Sequence, residues 1–171
     1  MTTDPFQYFA VVAQIAAAFA GFGSIASGLG HRRGGDDTRV DANRLAMMLV
    51  ASLSATLLGL LPATLSALSL GERWSLSGSA VVALAVIIAY SPTATKRAIR
   101  IRHVEGFSRA ATVANLGCIL VAVVAFSLCA LGLPADALAG TYLLGLMGLL
   151  GSSIVLFARV IGSMLRPHKA D

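Results

Sequence analysis

The chain has 171 residues, 57% of them apolar and 12% charged, with a net charge of +5 and a mean hydropathy of +0.82. That composition lies outside the range of soluble domains, in the direction of membrane spans, and the length fits a single unit. In a soluble domain the positive charge would suggest nucleic acid; here the basic residues stand beside apolar segments, where topology and anionic lipid account for them, and nucleic-acid binding is set aside.

Five apolar stretches follow one another along the chain, at about residues 5–29, 43–70, 74–91, 109–133 and 137–165. Each is long enough to cross the hydrocarbon core, and each is an unbroken apolar run rather than an alternating one, so helices are predicted and strands are not. The first run, Phe6 to Ile25, exceeds a signal-peptide core and follows a leader without Lys or Arg, which predicts a retained span. The loop at about 30–42 opens with His31-Arg32-Arg33-Gly34-Gly35 and reads as flexible, with Asp41 or Asn43 capping the second helix. Span two carries Pro62 and is too long for a straight crossing, so it either kinks there or ends nearby, laying Ala63 to Leu70 along the interface. After span three, Ser91-Pro92-Thr93 reads as a helix start within the loop at about 92–108. An interfacial basic helix from Ala94 to Val104 is expected, with Lys96, Arg97, Arg100 and Arg102 on anionic lipid head groups.

Twelve of the thirteen Lys and Arg residues fall on one side of this threading, Arg73 being the exception. Retention of basic residues in the cytoplasm then predicts an all-α bundle of five transmembrane helices in a bacterial inner membrane, N-terminus outside and C-terminus cytoplasmic. Tyr8, Trp74 and Tyr142 are placed at the outer boundary and Tyr90 at the inner one, where amphipathic rings settle.

Helical periodicity sorts the spans into small or polar faces and bulky ones. Span one aligns Ala10, Gln14, Ala17, Gly21, Ser24 and Gly28; span two aligns Ser52, Ala55, Thr56, Gly59 and Ala63. Span four aligns Ala111, Asn115, Cys118, Ala122 and Cys129; span five aligns Thr141, Gly148, Ser152 and Arg159, with Gly145 and Gly151 on either side. Lipid chains are as apolar as Leu, so small residues mark where helix backbones approach, and Gly21, Gly59, Gly145 and Gly148 are expected at helix contacts. The competing reading lines a hydrated path with Gln14, Ser52, Thr56, Asn115 and Ser152. Arg159 falls near the cytoplasmic interface, where it snorkels to the head groups or pairs with Asp41. The two cysteines, on one helix and roughly 16 Å apart, are packing residues rather than a disulfide.

No Asp or Glu lies in a span core, which counts against proton-coupled transport. His31, Asp36, Asp37, His103, Glu105 and His168 show no repeated short spacing suited to a metal, and Arg97 followed at a distance by His103 is a spacing that a basic run produces by chance. No nucleophile elbow, phosphate loop or Cys cluster is present, so neither an enzyme nor a cofactor is expected.

The stretches Phe19-Ala20-Gly21-Phe22, Leu68-Ser69-Leu70-Gly71-Glu72-Arg73-Trp74 and Tyr142-Leu143-Leu144-Gly145-Leu146, the last followed by Phe157 and Arg159, resemble a group of small bacterial five-span membrane proteins. The resemblance implies a shared architecture and carries no activity and no site residue. The first functional expectation is a non-enzymatic membrane protein that associates with itself or with a membrane partner, in a structural, regulatory or accessory role. An oligomeric channel for ions or small solutes is the alternative. A membrane enzyme using His103 or the Asp36–Asp37 pair at the cytoplasmic interface ranks last.

Overall fold

The computed structural model describes the backbone of residues 5–30, 36–101 and 109–164, and the side chains of residues 5–25, 45–91 and 110–162. His31, Arg102, His103, Glu105 and His168 lie outside the described residues, as do the side chains of Asp36, Asp37, Asp41, Lys96, Arg97 and Arg100.

Pro5 opens α1 (Pro5–Gly30), a position where its missing N–H goes unneeded. The others are α2 (Asp36–Ala67), α3 (Glu72–Ile101), α4 (Arg109–Ala130) and, after a 3-10 turn at Ala135–Ala137, α5 (Leu138–Met164). All five helices are long and apolar enough to cross a membrane, through Pro5–Ile25, Leu45–Ala67, Glu72–Ser91, Ala110–Ala130 and Ala135–Gly162. No strand occurs among the described residues, and the chain is a multi-pass helical bundle.

α2 and α3 run farthest beyond their apolar windows. α2 begins at Asp36, so Asp41 and Asn43 stand inside it and neither is its cap. Gly35 is the last helix breaker before that point, and residues 36–42 contain neither glycine nor proline. α3 likewise runs on through Ser91-Pro92-Thr93 to Ile101, so the basic segment extends the third span and is not a separate interfacial helix. Ala94, Lys96, Arg97, Ala98 and Arg100 are strong helix formers, which favours continuation.

The second span does not stop at Pro62, since α2 is helical on both sides of the proline and ends at Ala67. A proline lacks the N–H that would serve the carbonyl four residues earlier, here Leu58. Tyr142 on α5 serves it instead: its hydroxyl donates to the Leu58 carbonyl at 2.6 Å. Tyr142 is fully buried, at 0% exposure, and therefore is a core residue rather than an interfacial anchor. Its ring meets Phe9 of α1 edge-on at 5.3 Å and Phe126 of α4 at 5.4 Å. One side chain thus ties α5 to α1, α2 and α4. α5 packs against each of them, and half of its apolar window is buried, against 22% for α4 on the rim.

Short connections join the helices at the Tyr142 end. α2 closes with Leu68 N–H donating to the Thr64 and Leu65 carbonyls and with Ser69 at φ 65. α4 closes with Gly132 at φ 73, its N–H on the Cys129 carbonyl at 3.0 Å, and Leu133 N–H on the Leu128 carbonyl at 2.9 Å. This pair of bonds is the Schellman arrangement, which needs a left-handed residue in that place, and Pro134 follows as a stop. Gly132→Ala is expected to lower stability by roughly 1–2 kcal/mol from the left-handed backbone alone. The added carbon would also stand 3.0 Å from Arg73 Nη2. Thermal unfolding in detergent checks this, with Gly71→Ala, whose added carbon meets nothing within 4 Å, as a control expected to melt with the native protein.

Candidate functional site

Inside hydrocarbon a polar side chain stabilises the structure only if its donors and acceptors are met, and the bundle meets several of them between helices. Thr56 Oγ1 of α2 donates within its own helix to the Ser52 carbonyl at 3.0 Å and reaches the Ala13 carbonyl of α1 at 3.3 Å. Ser77 Oγ of α3 donates to the Cys129 carbonyl of α4 at 3.0 Å. Ser152 Oγ of α5 donates to Asn115 Oδ1 of α4 at 2.7 Å. Ser52 is buried, and its hydroxyl has no hydrogen-bond partner among the described residues. Arg159 is half-buried on α5.

The five residues of the candidate path therefore fall in three places. Thr56, with Ser52 buried one turn before it, belongs to α2, where Thr56 meets α1; Asn115 and Ser152 belong to the contact of α4 with α5, and Gln14 points out of the bundle. They do not converge on one passage within a single chain.

The glycines divide in the same way. A carbon added at Gly59 would meet Ala13 Cβ and the Phe9 carbonyl, both at 3.0 Å. One at Gly145 would meet the Phe126 ring at 2.7–2.9 Å, and one at Gly148 the Cys118 carbonyl at 2.7 Å and Ala122 N at 2.9 Å. Gly23, absent from the predicted contacts, packs on Met48. Gly21 is different, because a carbon added there meets nothing within 4 Å. Its expected helix contact is missing among the described residues because α1 turns a different face, with Phe9, Val12, Ala13 and Ala16, into the core.

Gln14, Ala17, Gly21 and Ser24 are accordingly exposed along one edge of α1. The Ser24 hydroxyl satisfies itself on the Ala20 and Gly21 carbonyls at 2.9 and 3.0 Å. Gln14 makes no hydrogen bond among the described residues. It lies near the middle of the window Pro5–Ile25, roughly 14 Å from the nearer end at 1.5 Å per residue, too deep for a side chain of its length to reach the interface. Beside this edge an open apolar groove of about 460 Å³ runs between α1 and α5, lined by Ile15, Ala18, Phe19, Phe22 and Phe157. Among the described residues no three His, Cys, Asp or Glu side chains gather into a group able to hold a metal.

No family model, no curated protein and no solved structure matches the chain.

Two glycine substitutions separate internal contacts from the outward edge. Gly148→Ala pushes a carbon into the backbone of α4 and is expected to destabilise the bundle by about 1–3 kcal/mol. Gly21→Ala meets open space and is expected to leave the isolated chain as stable as before, or up to about 1 kcal/mol more stable through helix propensity. Unfolding titrations in mixed micelles, at dilutions that keep the protein monomeric, compare the two.

Proposed function

We propose that the chain is a non-enzymatic protein of the bacterial inner membrane, N-terminus outside and C-terminus cytoplasmic, that associates with itself through the outward edge of α1 in a structural or accessory role. The observation that carries this reading is Gln14, a carboxamide at mid-span that faces outward and makes no hydrogen bond among the described residues. Leaving such a group in hydrocarbon costs on the order of 4 kcal/mol or more. A carboxamide carries both donors and an acceptor, so it complements a copy of itself. Two copies with the same topology meet about an axis along the membrane normal, which sets each residue of the seam against its own counterpart. The edge Ala10, Gln14, Ala17, Gly21, Ser24 advances by alternate steps of four and three residues, the spacing of a left-handed helix pair, and its small side chains permit close approach. The twelve-to-one distribution of Lys and Arg supports the orientation.

The same outward carboxamide supports one second reading. In a ring of several copies Gln14 would form a neutral polar collar around a central axis, as a passive conduit for ions or small solutes requires.

Native mass in lipid nanodiscs tests the association. The protein is expected to carry two or more copies, and Gln14→Leu to weaken assembly roughly fivefold, the equivalent of about 1 kcal/mol for an interhelical hydrogen bond. A native protein that stays strictly monomeric and brings no partner would refute it. Solute flux in liposomes, altered by Gln14→Leu, favours the ring; its absence under every gradient leaves the structural role.

A further inference from the structure

Away from the α1 edge, the Tyr142 end of the bundle holds the one Lys or Arg that departs from the charge asymmetry, Arg73. Its guanidinium spans from α3 to the α4–α5 connection and lies on Gly132, with Nη2 at 3.0 Å and Nε at 3.4 Å from where a side-chain carbon of that glycine would be. A cleft of about 360 Å³ opens there, lined by Glu72, Arg73, Leu76, Asp136 and Leu138 with two neighbouring alanines. Among the described residues no hydrogen bond or ion pair engages Arg73, Glu72 or Asp136, so one cation and two carboxylates share a cleft without neutralising each other.

Its depth is set by the sequence around it. Glu72 and Ala135 are the first residues of the third and fifth apolar windows, and Ala130 is the last of the fourth. Trp74, 75% exposed, and the exposed Leu70, Leu131 and Leu133 lie in or beside the same two connections that bring Glu72, Arg73 and Asp136 to the cleft. Indole rings settle between acyl chains and water, so this belt holds the cleft at head-group level.

We infer that the cleft binds the head group of an amine-bearing, ethanolamine-type phospholipid, with Arg73 on the phosphate and Glu72 and Asp136 on the ammonium. The planar guanidinium suits a phosphate, and a primary ammonium has N–H donors for both carboxylates. A glycerol head group would bring a negative charge to two carboxylates with no ammonium to offset it. A choline group has no N–H to donate and calls for an aromatic cage, and the cleft lining has no aromatic residue. The inference is independent of self-association, since it uses none of the α1 edge.

Trp74 is the single tryptophan of the chain and stands next to Arg73, so it reports on the site directly. The full chain is reconstituted in bilayers containing acyl-brominated ethanolamine, glycerol or choline phospholipid, and quenching of Trp74 is compared. The ethanolamine lipid is expected to quench as though enriched about tenfold over the glycerol lipid, the scale of charge-assisted hydrogen bonds. Arg73→Gln and the double substitution Glu72→Gln with Asp136→Asn should each abolish that preference, while melting followed by circular dichroism verifies that the bundle persists. The double substitution leaves the Arg73–Gly132 contact in place and so stands as a separate test if Arg73→Gln disturbs folding. Equal quenching by the three lipids, or a preference that survives both sets of substitutions, overturns the inference. Soluble glycerophosphoethanolamine is expected to compete only at concentrations far above that of the lipid; binding of it as tight as that of the lipid would overturn the lipid as occupant and assign the site to a free head group.

Discussion

A proline inside a transmembrane helix strips one carbonyl of its donor, and hydrocarbon offers no water to replace it. In this bundle the Tyr142 hydroxyl fills that vacancy at the Leu58 carbonyl, and the remaining packing follows from where it must stand. A bond of 2.6 Å fixes the height and rotation of α5 against α2. With α5 turned so, Phe9 and Phe126 close on the ring from α1 and α4, and Gly145 and Gly148 come against Phe126 and the Cys118–Ala122 backbone. The central position of α5 is therefore a consequence of a polar requirement met in an apolar solvent.

Small side chains and interhelical hydroxyl bonds then do for this protein what burial of apolar area does for a soluble one. Bulky leucines gain little by leaving lipid, and many remain outside, Leu57 and Leu116 among them. Thr56, Ser77 and Ser152 instead spend their hydroxyls between helices. Against that background an outward carboxamide midway along the α1 apolar window and the Glu72, Arg73 and Asp136 cleft stand out among the described residues as polar groups left without partners in the chain. One suits a second copy, the other a lipid.

The number of helices and their apolar windows were legible because length and unbroken hydropathy are properties of a segment by itself. Their ends were less so. Residues 36–42 read as loop and 94–104 as a separate interfacial helix because both segments are polar, yet α2 starts at Asp36 and α3 runs on through Pro92 to Ile101. Rotation about each axis was the harder quantity. Gly21 and Gly148 sit on stripes of similar composition, yet only α5 is ringed by neighbours, so only the stripe of Gly148 is filled. Tyr142 looked interfacial because amphipathic rings near a span end commonly are; the contrary signal was Pro62, whose unserved carbonyl demanded a donor from some other span. The five polar residues fall at separate places in one chain for the same reason, since periodicity gives the face of one helix and never the partner it turns toward.

The dependence of the bundle on that single donor is tested most directly by a double-substitution cycle on unfolding free energy, pairing Tyr142→Phe with Pro62→Ala. Alanine at 62 returns an N–H to the Leu58 carbonyl. Loss of the phenol hydroxyl should thus cost about 1 kcal/mol or more beside proline and under about 0.5 kcal/mol beside alanine. An equal cost in both backgrounds would contradict the account, because the hydroxyl would then be stabilising the bundle through something other than the carbonyl that Pro62 leaves open.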